Sequence, residues 1–352
     1  MNKETKSLKE ALKNLIINNK NYSVEEKFSV DDIKKIFSRH IGFEKEKDKF
    51  SNYVFFYSQT NGNFYPKREI ICYSGAPGTG KTSFVNTLAE ALGRKLEIIS
   101  FSGLKEFAEK SILGDEKKPS LAAWAMEKTG CKNPIILLDE LEKVEEGSEI
   151  QKDLIKFFNI YKNEEKDESG KFFDKFHKEE LDLNHVTFFA TVNYPEKLSP
   201  LLKSKINMRI LEDYNDEDKK SILRLKKKEI EEDLKKIYGN EIGEVIPEGI
   251  IEELPNYINE SGVRQTERVL YKIKEKYIFE REKGRKFSLE NPKQWLEENV
   301  LPYQESFSPR AKHYALFFLW GFTWILLLLL IIKIIITKEE KNNSKEKFTE
   351  NE

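Results

Sequence analysis

Two hydrophobic rhythms divide the chain. Ile70-Ile71-Cys72-Tyr73, Leu96-Glu97-Ile98-Ile99-Ser100, Ile135 to Leu138 and Val186 to Thr191 are short runs rich in apolar residues, with the length of buried strands. Between them apolar residues recur at helical spacing, as in Phe84, Val85, Leu88, Ala89 and Leu92, a pattern that Gly93-Arg94-Lys95 ends. This alternation predicts a three-layer α/β domain with a largely parallel sheet. Upstream, Leu8, Leu12, Leu15 and Ile16 predict a short amphipathic helix over 6–17, suited to dock on the main domain or, as the less favoured alternative, to bind a partner, followed by an asparagine-rich linker over 18–23. Helices from Val30 (Ile33, Ile36, Phe37) and around Phe50, Tyr53 and Val54 come next, with a turn at Thr60 to Asn63. Glu164 to Gly170 reads as an acidic loop. Past Asp213 the strand pattern stops. Asn215 or Asp216 caps a helix carrying Ile222, Leu225, Ile230 and Leu234, and another starts near Glu260 to Val263.

The C-terminus follows a different rule. Tyr314 to Ile332 contains no charged residue, and its nineteen positions span roughly 28 Å as a helix, close to the thickness of a bilayer's hydrocarbon core. A single membrane span is expected, with Lys333 snorkelling at its far boundary and a polar tail beyond. The expected segments are therefore an N-terminal helix and linker over 1–30, the α/β domain over 31–212 and a small helical domain over 213–290. A juxtamembrane linker over 291–312, a transmembrane helix over 313–337 and a tail over 338–352 complete the chain.

The connection after the first strand carries the chemistry. Gly75-Ala76-Pro77-Gly78-Thr79-Gly80-Lys81-Thr82, with Ser83 behind it, joins an apolar strand to a helix start and satisfies GxxxxGK[ST] in full. Glycines let backbone N–H groups turn inward around a polyphosphate, and the helix N-terminus adds its positive dipole end. Lys81 reaches the β- and γ-phosphates, while Thr82 faces Mg²⁺. A second apolar strand ends in Asp139-Glu140. At strand ends that approach the phosphate loop, Asp139 suits Mg²⁺ held through its water shell. Glu140, on the opposite side of the chain, suits activation of the water that attacks the γ-phosphate.

Composition narrows the picture by exclusion. Charged residues make up 34% of the 352 positions, yet the formal net charge is −1, so no global field favours nucleic acid. Cys72 and Cys131 are the two cysteines, which leaves neither a disulfide framework nor a cysteine-rich metal site and fits a reducing compartment. His40, His177, His185 and His313 are scattered away from metal-ligand spacing and read as ordinary residues.

Taken together, these residues resemble the AAA+ ATPases, and local strings resemble the ATPase module of the Lon protease family. His40-Ile41-Gly42-Phe43-Glu44-Lys45 is similar to its adenine-side HYGLEKVK, Gly93-Arg94-Lys95 to GRKF, and Asn133-Pro134 through Lys143 to NPVFLLDEIDK. Phe172 to Phe176 and Val186 to Asn193 parallel FNDHYLE and VMFIATAN, and Ser261-Gly262-Val263-Arg264 resembles the AGVRNLER of its helical lid. The resemblance runs from about Phe37 to Tyr277. It implies ATP and Mg²⁺ as cofactors, Ile41 and Gly42 at the base, Asn193 as sensor 1 and Arg264 as sensor 2. It also implies a homo-oligomeric ring, a hexamer in the family, acting on protein substrates.

Three departures qualify the likeness. Lys205, with Arg209 nearby, occupies the region of the family's trans-acting arginine, and a lysine lacks the planar fork of an arginine finger. Ile112-Leu113-Gly114 stands at the aromatic pore-loop position. About thirty residues separate the lid from the membrane span, too few for the family's protease domain, so any degradation is expected to need a separate protease. The expectation is a membrane-anchored ATPase with its large domain on the cytoplasmic side, remodelling or unfolding proteins near the membrane. A nucleotide-dependent scaffold or switch is the alternative. Positive-inside counting, with Arg310 and Lys312 against Lys338, Lys341, Lys345 and Lys347, pulls the tail toward the cytoplasm instead. A DNA-linked factor is disfavoured by charge.

Overall fold

The structure is a computed structural model and describes residues 29–59, 68–102, 111–162, 170–239, 242–289 and 291–300. The expected helix over 6–17, the linker over 18–23, the turn over 60–63, most of the acidic loop, the membrane helix over 313–337 and the tail lie outside the described residues. Among the described residues, no helix is long and apolar enough to cross a membrane. These residues divide into two compact units, one within Met1–Glu241 and Glu260–Tyr271, the other within Ile242–Asn259 and Lys272–Glu352.

In the first unit, helix α1 (Val30–Phe37) starts at a capping box in which the Ser29 hydroxyl accepts from Asp32 N–H and Asp32 accepts from Ser29 N–H. Helix α2 (Glu44–Gln59) leads toward strand β1 (Ile71–Ser74), helix α3 (Lys81–Ala91) and strand β2 (Leu96–Ser100). Helix α4 (Leu121–Thr129), strand β3 (Ile135–Asp139) and helix α5 (Glu149–Lys162) follow. A hairpin of β4 (Lys171–Asp174) and β5 (Glu179–Asp182) precedes β6 (Thr187–Val192), α6 (Pro200–Lys203), β7 (Asn207–Ile210) and α7 (Asp216–Tyr238). The main sheet runs β2-β3-β6-β1-β7 with every pairing parallel.

Strict alternation along β3 explains the three layers. Ile136 and Leu138 join one core with Cys72, Phe157, Phe188 and Ala190, whereas Ile135 and Leu137 join the other with Tyr73, Phe84, Leu88 and Phe189. The four apolar side chains Ile135 to Leu138 are fully buried, so the strand needs helices on both faces. Arg94 closes one end of this sheet. Its guanidinium donates to the carbonyls of Asn133, Pro134 and His185 and to the Thr187 hydroxyl, at 2.7 to 3.0 Å, tying together the starts of β3 and β6.

The strands predicted at β1, β2, β3 and β6 are present, each within a residue or so of its expected bounds, and Asn215 is the cap of α7. Strand β7 and the β4–β5 hairpin escape the apolar pattern because they are four residues long and half exposed. The first unit also holds α7 and the first turns of α9 (Arg264–Glu282), and the strands stop before the expected boundary at 212/213. The second unit holds α8 (Glu248–Tyr257), the rest of α9 and α10 (Pro292–Asn299) around Ile250, Ile251, Leu254, Ile273 and Leu296.

The pore-loop reading of Ile112-Leu113-Gly114 is corrected. Ile112 is 2% exposed and packs into the sheet core, and Leu113 packs partly against the same cluster. Gly114 sits at φ +74°, where a Cβ would lie 2.7 Å from Ser120 N. An apolar pair looks alike in sequence whether it grips a substrate or fills a core, and here it fills the core.

Beside this segment a buried charge cluster ties the hairpin to α4. His177 shares hydrogen bonds with Asp174 (2.7 Å) and Glu127 (2.6 Å), and Asp174 accepts the Ser120 N–H at 2.7 Å. Burial opposes the imidazolium, but the two carboxylates outweigh it and hold His177 up at about 9, against an ordinary 6.5. A raised folded-state value means the contribution is complete below about pH 6.5 and disappears as pH rises through about 9. Urea unfolding at pH 6.5 and 9.5 should therefore show the wild type losing up to about 3 kcal/mol from this cluster, a loss absent in His177→Gln. Equal pH dependence in the two proteins would refute the assignment.

Candidate functional site

Strand β1 delivers the phosphate loop at the carboxyl edge of the sheet, where Gly75 N–H donates to Val192 O across the β1–β6 pair. Gly78 (φ +81°) and Gly80 (φ +79°) take the left-handed conformation. Gly80 is the N-cap of α3 and offers no side chain to the helix's first N–H groups, which leaves them for an anion. Lys81, 5% exposed, donates to the carbonyls of Gly75 (2.8 Å) and Ala76 (2.7 Å). Burial pulls its ammonium down to about 8, against the favourable charges of Glu142, Asp139 and Glu140.

Strands β3 and β6 bring the remaining polar groups alongside. Asp139 Oδ1 accepts from the hydroxyls of Thr82 (3.0 Å) and Thr191 (2.6 Å), and the Thr191 oxygen accepts Glu140 N–H at 3.0 Å. Glu140 sits at φ +57°, unusual for a residue with a Cβ, and its carboxylate accepts from Asn193 Nδ2 at 3.3 Å. Asn193 N–H in turn donates to Glu142 Oε1 at 3.1 Å. Thr82 and Asp139 are oxygen donors of the kind Mg²⁺ accepts beside phosphate oxygens, so the residues present fit that ion. Among the described residues no cluster of three or more His, Cys, Asp or Glu forms a separate metal site.

These groups line one cavity of about 520 Å³, contained in the first unit. Pro77, Gly78, Gly80, Lys81, Thr82 and Ser83 form its phosphate end with Asp139, Glu140, Asn193 and Arg264. Arg264 lies against the loop, since Val263 N–H donates to Gly78 O at 3.2 Å and a Cβ on Gly78 would meet Arg264 Cβ at 2.8 Å. Ile41, His40, Tyr214, Ile222 and Leu225 complete the lining, with His40 and Tyr214 set against Gly80 of the loop. Gly75, Ala76 and Thr79 shape the loop from behind: the first two supply carbonyls to Lys81, and buried Thr79 bonds back to Ala76 O. Gly42 stands outside the lining, at φ +80° under the Tyr214 ring.

Lys205 takes no part in this cavity, and its carbonyl accepts from Lys162 Nζ. Arg209 is committed elsewhere, donating to Glu46 at 2.9 Å with its guanidinium 5.4 Å from the Phe50 ring. Its reading as an alternative finger is weakened accordingly. Sequence reasoning missed the polar roles of Thr191 and Glu142, and it read His40 as ordinary. His40 is buried, stacked on Phe43, and held down to about 4 by burial and then by Lys47, so it is neutral at physiological pH. Only its place in the HIGFEK string gave a hint.

Residues 71–214 match the family profile described as "ATPase family associated with various cellular activities (AAA)". These residues form an AAA ATPase domain. Around the domain, the chain is 30% identical over 289 residues to the Lon protease of Malacoplasma penetrans, covering 78% of this chain and 35% of that protein. It is 31% identical over 267 residues to the Lon protease of Mycoplasma mycoides, covering 72% and 32%. For the Lon protease of Aquifex aeolicus the figures are 29% over 274 residues, covering 74% and 33%. The chain thus spans about a third of the length of these curated relatives. The AAA domain and the sheet beneath it are what the sequence pattern led one to expect.

The geometry at Gly78 sets a test of the AAA site. Gly78→Ala forces a side chain into left-handed backbone, at about 1–2 kcal/mol, and against Arg264. Calorimetric titration should give ATP affinity reduced by at least about tenfold, and unchanged affinity would mean that the loop does not hold the phosphates as described.

Proposed function

We propose that the chain is a membrane-anchored AAA ATPase that assembles as a ring, a hexamer by analogy with the family, and uses ATP hydrolysis to remodel or unfold proteins at the membrane. The observation that carries the reading is the contact of Asn193 Nδ2 with Glu140 Oε1 beside the Thr82–Asp139 pair, inside one cavity with Lys81 and Arg264. Glu140 takes the proton of the attacking water, and Asn193 orients both. Lys81 and the loop N–H groups hold the β- and γ-phosphates, and Arg264 reads the γ-phosphate from the start of α9. Thr82 and Asp139 would hold Mg²⁺, which when bound would supply charge neutralisation on the transferring phosphoryl group. Ile41 and its neighbours bound the base.

Lys205 would act across the subunit boundary of the ring, which fits its lack of any role in its own chain's cavity. The lysine itself favours a second reading, a nucleotide-dependent scaffold or switch, since a lysine in place of an arginine finger lowers turnover by about 10³ or more where the finger governs the rate. A substantial ATPase rate that climbs with protein concentration supports the motor. A residual rate that Lys205→Arg raises supports the switch.

Glu140→Gln keeps the shape of the cavity while removing the base. It should bind ATP with near wild-type affinity and turn over at least about a hundredfold more slowly, and unchanged hydrolysis would sink the assignment. Anchoring rests on the uncharged stretch Tyr314 to Ile332. The full chain should resist alkaline carbonate extraction from membranes, whereas the chain ended before 313 should be released. Protease protection of a C-terminal tag, with the ATPase domain accessible from the cytoplasmic side, checks the orientation.

A further inference from the structure

The reactive pair of the proposed site comes from two separate strand ends, and the contact between them is long. Glu140 leaves β3 and Asn193 leaves β6, and 3.3 Å separates Oε1 from Nδ2. A fixed geometry therefore needs ties between the two ends. Thr191 is one, accepting Glu140 N–H and donating to Asp139. It orders the β3 end but does not touch the residue just past β6.

Glu142 supplies the missing tie. Residues Leu141–Lys143 form a single 3-10 turn directly after Glu140, and fully buried Leu141 plugs that turn into the core. The turn carries Glu142 round so that its side chain points back to β6, where Oε1 accepts the main-chain N–H of Asn193 at 3.1 Å. Glu142 is 6% exposed, and its Oε2 has no hydrogen-bond partner among the described residues. A buried carboxylate with one oxygen unpaired is costly, and an apolar residue of the same size would fill the space without that cost. Glu142 is absent from the lining of the cavity, so it works from behind the wall, on the residue that faces the water.

We propose that Glu142 is a positioning residue for hydrolysis, which holds the Asn193 main chain through its carboxylate and so sets the Asn193 side chain against Glu140. The inference rests on the ATPase reading of the site. Losing the acceptor leaves the half-buried Asn193 N–H without its partner and lets the end of β6 drift. A displacement on the ångström scale at a catalytic constellation costs turnover far more than substrate affinity.

Glu142→Met and Glu142→Gln form the test. Both keep the volume and remove the charge, and they differ in that glutamine retains an acceptor for Asn193 N–H. ATP affinity by calorimetry and steady-state kcat and KM are measured for the full chain and both variants. The expected result is a kcat at least about tenfold lower in the methionine variant than in the glutamine variant, with ATP affinities of the two within about threefold. Equal kcat in the two variants, or affinity lost in step with kcat, overturns the proposal. Amide hydrogen exchange on the wild type gives a reading that does not depend on the methionine variant folding. The Asn193 N–H, whose partner is Glu142 rather than a strand, should be protected, and free exchange there refutes the tie. A wild type that binds ATP and never hydrolyses it removes the ATPase reading and this inference with it. A wild type that turns over while the methionine and glutamine variants match removes the inference alone.

Discussion

One carboxylate oxygen joins the three segments that make the site. Asp139 Oδ1 accepts from Thr82 at the head of α3 and from Thr191 on β6, while Asp139 itself ends β3. Hydrogen bonds are directional, and two on one oxygen set the spacing of the phosphate loop, the acidic strand end and the sensor strand together. The arrangement is possible because β3, β6 and β1 are neighbours in a parallel sheet, so their carboxyl ends emerge on one edge. That neighbourhood in turn depends on the alternating burial of Ile135 to Leu138, which obliges both faces of the sheet to be covered.

One residue of this framework is held in unusual backbone. Glu140 holds a left-handed backbone that costs roughly a kilocalorie per mole or more. Bonds on both sides of it absorb the cost: Thr191 holds its N–H, and the turn anchored by buried Leu141 holds the chain beyond it. In this conformation the Glu140 carboxylate accepts from Asn193 Nδ2 at 3.3 Å.

How far the chain was legible depends on the range of each interaction. Strands β1, β2, β3 and β6 and the residues Gly75 to Ser83, Asp139 and Glu140 are written in contiguous stretches, where periodicity and spacing act within one element. Thr191 and Glu142 are different. Their partners lie about fifty residues away, and the pairing exists because β6 inserts between β1 and β3, an order that no local pattern encodes. The same holds for His177, which meets Glu127 and Asp174 through the placement of a half-exposed hairpin. Ile112 was misread for the converse reason: its local pattern is compatible with a loop tip and with a core, and contacts from α4 and the sheet decide for the core. Gly42 belongs to the HIGFEK string, yet a single-residue offset takes it out of the cavity that Ile41 lines.

Charge bookkeeping at the cavity indicates what draws the nucleotide in. Arg39, Lys81, Lys226 and Arg264 line it, and so do Asp139, Glu140, Glu229 and Glu267. Cations and carboxylates are equal in number, and His40 is held neutral. Long-range attraction for a polyphosphate is therefore weak, in keeping with a chain of formal net charge −1. Affinity must come from short-range groups whose placement is fixed, the loop N–H groups and the uncapped start of α3, together with the divalent cation that Thr82 and Asp139 would hold. Such a site discriminates by geometry instead of by field. Its affinity should depend steeply on the left-handed glycines and on Mg²⁺, and only mildly on ionic strength, because the charges that matter act inside the screening length.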